Sequence, residues 1–342
     1  MQRILVTQSR LYEHVHTESM ELKPLGFKIK KEGINTQKFY CNPYFLLLPF
    51  KECDTLSKLT TEQMSVISAI YYGSTYAEIA SSETIALTYN LVAAEKVFDI
   101  YSDDYMILFH ETAEETDHII TFHNVCKGLL GTGEALGPRH FNHLKPVYES
   151  FKIFEPKLCN YGFASMYLLM RYLLNLALKQ LESFMAQGIA DEKIHSTSQA
   201  IISGHAADEA RHTTTSLQLG MALYERASKT SQSFLRSLLK RSIYSMIDRR
   251  FSPPTEQYQY SIAQQVLAKA FTYPEFDGIG ITHSELEGAW NKHGVIITPS
   301  REYENSQRWI AQQIQRLVNH LDIKIKTNNR NIENYTSLLR TG

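Results

Sequence analysis

The strongest constraint on this chain is a pair of Glu-x-x-His steps carried on two long, proline-free stretches. One is Glu115-Thr116-Asp117-His118; the other lies within His205-Ala206-Ala207-Asp208-Glu209-Ala210-Arg211-His212. Residues three or four apart share a helix face, so Glu115 projects with His118, and His205 projects with Glu209 and His212. Carboxylates and imidazoles on an inward helix face are costly unless paired or metal-bound. A four-helix bundle resolves that cost with a di-metal centre, built from one Glu-x-x-His on each of two helices and one Glu on each of the others. The expected fold class is therefore all-α, with four long core helices.

Helix boundaries agree with this reading. Thr60 and Gln63 have capping-box spacing, with Leu59 and Met64 at the staple positions, and they open a helix running to about residue 94. A polar break at Asp99–Asp104 precedes a second helix over about 103–127, which the Gly-rich stretch 128–146 ends. The third, about 161–187, is unusually apolar and suits a position buried on most sides; the fourth covers about 197–226. Further helices are expected near 231–249, 255–271 and 301–321, with a loop over 273–297. The resulting organisation is an N-terminal arm at 1–58, a helical domain at 59–323 with C-terminal helical additions, and a polar tail at 324–342.

Composition removes several classes of function. Among 342 residues, 35 Lys+Arg face 36 Asp+Glu, so no global basic field attracts nucleic acid or an anionic membrane. Cys41, Cys53, Cys126 and Cys159 form no CxxC pair, which argues against iron–sulfur clusters, thiolate zinc sites and a disulfide scaffold. The apolar run Tyr167–Leu178 is broken by Arg171 and is too short to span a bilayer. The Met1–Leu5 stretch does not read as a signal peptide, so a cytoplasmic location is expected.

Two carboxylates are still needed from the first and third helices. Glu182 is the one interior Glu of the third and shares a face with Leu178 and Met185. On the first, Glu83 shares a stripe with Ile79, Ala86, Leu87 and Asn90, whereas Glu78 has polar neighbours. Ligands level across a hairpin lie equally far from its turn. Glu83 and Glu115 are centred on Asp99, inside the polar break, so Glu83 is preferred to Glu78. The expected ligands are Glu83, Glu115, His118, Glu182, His205, Glu209 and His212.

Both core glutamates follow an acidic residue. Asp208 is expected to orient His118, and Glu114 to orient His212, with Arg211 offsetting the added negative charge. His110, Glu111 and His123 read as ordinary polar positions, and Tyr161, Tyr167 and Tyr172 as core aromatics. Arg139 and His143 are candidates for contacting a substrate carboxylate. Oxygen and imidazole donors without thiolate suit iron, with manganese as a substitute. No nicotinamide fingerprint, Walker loop or serine elbow is present, so reducing equivalents must come from an external electron donor.

The Glu115-x-x-His118 step followed by His205 through His212 resembles the p-aminobenzoate N-oxygenase (AurF-type) family of di-iron oxygenases. The resemblance implies a ferritin-like bundle with two irons held by four glutamates and three histidines. It also implies O2 as cosubstrate, a diferric peroxo oxidant, an aryl amine or related small substrate in a biosynthetic pathway, and a homodimer. Two readings remain beside N-oxygenation: C–H hydroxylation or desaturation on the same centre, and a ferritin-like iron-handling or radical-generating protein.

Overall fold

The computed structural model describes residues 34–47, 50, 53–131, 149, 152, 160–186, 191–251, 256–293 and 301–325. Regular structure among them is helical: α1 (Pro43–Leu47), α2 (Asp54–Ser57), α3 (Thr61–Val97), α4 (Asp103–Leu130), α5 (Tyr161–Ala186), α6 (Ser196–Arg226), α7 (Lys229–Phe251), α8 (Glu256–Ala270), α9 (His283–His293) and α10 (Arg301–His320). Single 3₁₀ turns occur at Asp191–Lys193 and Pro274–Phe276, and an isolated parallel bridge joins Phe39 to Ile194. The all-α expectation holds. No helix among the described residues is long and apolar enough to cross a membrane.

Helices α3–α6 coincide with the four core helices expected from sequence, with ends displaced by about three residues at most. Their starts have local causes. Thr60 N–H donates to Gln63 Oε1 at 2.8 Å and Gln63 N–H to Thr60 Oγ1 at 3.3 Å, closing the capping box of α3. Ser102 caps α4 by accepting from Tyr105 N–H. The loop expected over 273–297 is corrected by α9. Thr282 and Glu285 form a second capping box, with Glu285 N–H donating to Thr282 Oγ1 at 3.2 Å and Thr282 N–H to Glu285 Oε2 at 2.8 Å. Buried Leu286 and Ala289 then supply the inward face that makes this short helix worth forming.

The chain divides into two compact units. One gathers Gly73–Lys179 and Ala200–Leu239. Within it, Gly73 meets Cys126, Glu83 nears His118, and Asn90 meets Glu111, so α3 and α4 run antiparallel. A Cβ on Gly73 would stand 3.1 Å from Leu130 Cγ, so the bare backbone permits this approach. At one end Ile85, Tyr89, Phe98, Ile107, Leu108, Leu168, Leu219 and Leu223 form a continuous apolar cluster.

The other unit contains Ile34–Tyr72, Gln180–Gln199 and the chain from Lys240. Asn42 N–H donates to Met185 O, Phe39 N–H donates to Lys193 O, and the Tyr40 ring stacks on His195 at 4.9 Å. Gln63 Nε2 reaches Glu275 O at 2.8 Å, and Phe50 packs against Trp290.

Candidate metal centre

Helix α4 turns acidic residues into its apolar stripe. Glu111, Glu114, Glu115 and His118 are buried at helical spacing among Ile107, Leu108, Phe122 and Val125. Helix α6 answers with buried His205, Asp208, Glu209 and His212, and α3 with buried Glu83. Each charge must find a partner, because an unpaired ion in such an interior costs several kcal/mol.

The inner atoms converge. His205 Nε2 stands 2.7 Å from Glu83 Oε1 and 3.7 Å from Glu209 Oε1. His118 Nδ1 is 3.6 Å from Glu83 Oε1 and 3.9 Å from Glu115 Oε2. His212 Nδ1 lies 2.9 Å from Glu209 Oε1 and 3.2 Å from Glu115 Oε1. Two groups result, Glu83/His118/His205/Glu209 and Glu115/Glu209/His212. In each, the available ligand atoms lie within 4.8 Å of one another. Glu209 belongs to both.

The outer nitrogens are held across helices. Asp208 Oδ2 accepts from His118 Nε2 at 2.9 Å, and Glu114 Oε2 accepts from His212 Nε2 at 2.8 Å. Each acid therefore serves the histidine of the opposite helix. Arg211 Nη2 joins them, donating to Glu114 Oε1 at 2.8 Å and to Asp208 Oδ1.

Protonation follows this pairing. Burial works against charging His118, but its hydrogen bond to Asp208 and the nearby Glu115 and Glu83 carboxylates hold it well above the ordinary imidazole range. His212 is raised in the same sense, burial being outweighed by Glu209, Glu115 and Glu114. Burial alone would lift Glu115, yet His212, His118 and Arg171 take it well below the usual carboxylate range. Glu209 is lowered against burial mainly by His212.

These atoms fit a metal pair. Among the described residues, Glu83 Oε2, Glu115 Oε2 and His118 Nδ1 are buried without a hydrogen-bond partner, an arrangement a protein interior rarely leaves unsatisfied. All three belong to residues of the two groups, and the donor set is oxygen and imidazole nitrogen with no thiolate. A family model described as p-aminobenzoate N-oxygenase AurF matches residues 35–278. The chain belongs to this family. No curated protein and no solved structure matches it.

The AurF family is one of di-iron oxygenases, and the match covers α1 to α8 and every residue of both groups. Glu182 is fully buried on α5 but is in neither group. Glu78 is only half-buried, and His123 is exposed. Arg139, His143 and the stretch from 132 to 146 lie outside the described residues.

Sequence reasoning undervalued two residues of this AurF-family chain. Glu111, expected to be an ordinary polar position, is 1 % exposed, and Arg171, read only as a break in an apolar run, is 4 % exposed. They form a buried ion pair that also takes in Glu115. A lone Arg in the most apolar helix, facing an acidic stripe, was the available signal.

Proposed function

We propose that this AurF-family protein is a di-iron N-oxygenase acting on an amine, with aryl amines the favoured substrate class. The observation that supports it most is the pair of buried oxygen- and nitrogen-donor groups joined at Glu209. Glu83, Glu115, His118, His205, Glu209 and His212 would hold the metals, with Glu182 the seventh candidate on sequence grounds. Bound iron would supply the O2-activating redox chemistry that side chains lack.

The chain's own groups prepare that chemistry. Asp208 and Glu114 fix the ring orientation of His118 and His212, so that each Nδ1 faces the carboxylates and each Nε2 keeps its proton. Arg211 holds both acids in place, and the buried walls, Tyr76 and Phe122 among them, exclude water from His205. Electrons enter from an external donor, and the resemblance implies a homodimer.

Iron(II) loading under argon is the first test: two ions per chain are expected, and one or none refutes the centre. Exposure of the loaded protein to O2 with an aryl-amine panel, read by product mass and fragmentation, tests the reaction. Oxygen on nitrogen supports the reading. Oxygen only on carbon would select hydroxylation instead, and a tyrosyl radical or mineral growth without product would assign radical generation or iron handling.

A further inference from the structure

We infer that Arg171 is a positioning residue for the centre: its guanidinium, tied to Glu111 and Asn90, holds Glu115 by Oε1 and fixes the orientation in which Glu115 would meet metal. The inference rests on the two-metal reading above. Glu111 and Glu115 stand one helical turn apart on one face of α4, and both are about 1 % exposed. Either carboxylate is chemically able to ligate, yet Glu115 enters a ligand group and Glu111 does not.

Arg171 holds one oxygen of each. Its Nη1 donates to Glu111 Oε2 and its Nη2 to Glu115 Oε1, the latter at 2.6 Å. On each carboxylate this leaves one oxygen, Glu115 Oε2 and Glu111 Oε1, buried without a hydrogen bond among the described residues, and Glu115 Oε2 stands 3.9 Å from His118 Nδ1. On Glu111 the same guanidinium works with Asn90, whose Nδ2 donates to Oε2 at 3.4 Å. Asn90 is itself fixed, because its Oδ1 accepts from Arg171 Nη1 at 3.4 Å and from the Tyr167 hydroxyl at 2.7 Å. A planar fork that reaches two carboxylates at once is a property of arginine; a lysine ammonium offers one point of charge.

A cobalt(II) titration of metal-free protein, read by stoichiometry and by the visible ligand-field band, separates positioning from simple charge balance. Arg171→Gln alone would strand the buried Glu111 charge and destabilise the fold for a trivial reason. The double variant Arg171→Gln/Glu111→Gln removes both charges together. Its circular dichroism and melting curve are expected to stay close to wild type, while cobalt affinity falls about 10-fold or more and the ligand-field band shifts. A wild-type isotherm and band in the folded double variant would overturn the inference. If that variant does not fold, Arg171→Lys decides it, since charge is kept and the fork is lost: weaker cobalt binding is expected, and an unchanged isotherm overturns. Wild-type protein taking up fewer than two ions would instead refute the metal centre itself.

Discussion

Asp208 on α6 accepts a hydrogen bond at 2.9 Å from Nε2 of His118 on α4, and the opposite ring nitrogen of His118 faces Glu83 and Glu115. This hydrogen bond leaves Nδ1 as the nitrogen that would ligate a metal. The Asp208 carboxyl is kept below the usual range: burial would raise it, but His118 and Arg211 outweigh burial.

Asp208→Asn should therefore weaken metal binding or turnover about 10–100-fold while leaving the helical signal intact, as loss of such outer partners does elsewhere. Metal titration beside circular dichroism checks this, and wild-type affinity would remove Asp208 from its orienting role.

The two Glu of α3 should respond differently. Glu83 is buried with Oε1 2.7 Å from His205 Nε2, whereas Glu78 is half-buried and lies in neither ligand group. Glu83→Ala should abolish or strongly reduce uptake of one of two iron(II) ions, and Glu78→Ala should leave stoichiometry at two. The reverse ranking would mean the wrong carboxylate is assigned.

His205 supplies the extra nitrogen of the first group, packed edge-on between Phe122 at 5.0 Å and His118 at 4.6 Å. His205→Ala should lower iron occupancy and change the optical spectrum of the loaded protein. An unaltered spectrum at full occupancy would place His205 outside the coordination sphere.

Gly220 is needed for packing. A Cβ there would come within 2.9 Å of Leu169 Cγ and Cδ2, and Ser165 Oγ donates to Gly220 O at 2.7 Å. Gly220→Ala gains about 1 kcal/mol of helix propensity. It must still displace a fully buried leucine, an overpacking cost of about 1–3 kcal/mol. A net lower melting temperature is expected in thermal denaturation; a higher one would show that Leu169 moves freely.

Cys126 donates to Gly73 O at 3.2 Å, and burial pushes its thiol up to about 12. At pH 8 about one molecule in 10⁴ would carry the thiolate, which is the reactive form. Burial raises the Cys41 thiol in the same direction. Native protein should leave both unalkylated at pH 8 by peptide mapping, and denaturant should expose both. Ready labelling of native Cys126 would contradict this burial.

Much of this was legible in the sequence. Glu115, His118, His205, Glu209 and His212 share faces because the helical period fixes their angles, whatever the helices pack against. The Thr60/Gln63 box marked the start of α3. The Thr282/Glu285 box has the same form, but no long apolar stripe follows it within 273–297 to mark a helix.

Periodicity is a property of one helix at a time, so sequence alone determined which side chains turn inward together and that an acidic stripe had to be neutralised. It did not set the axial offset or rotation between helices. Those depend on non-local contacts such as Gly73 against Leu130 and Gly220 against Leu169. Only tertiary packing decided that Arg171 bridges Glu111 and Glu115, and that Glu209 belongs to both ligand groups. The physical reason is that a buried charge takes the partner that packing brings within hydrogen-bond reach, and that distance is written in no single helix.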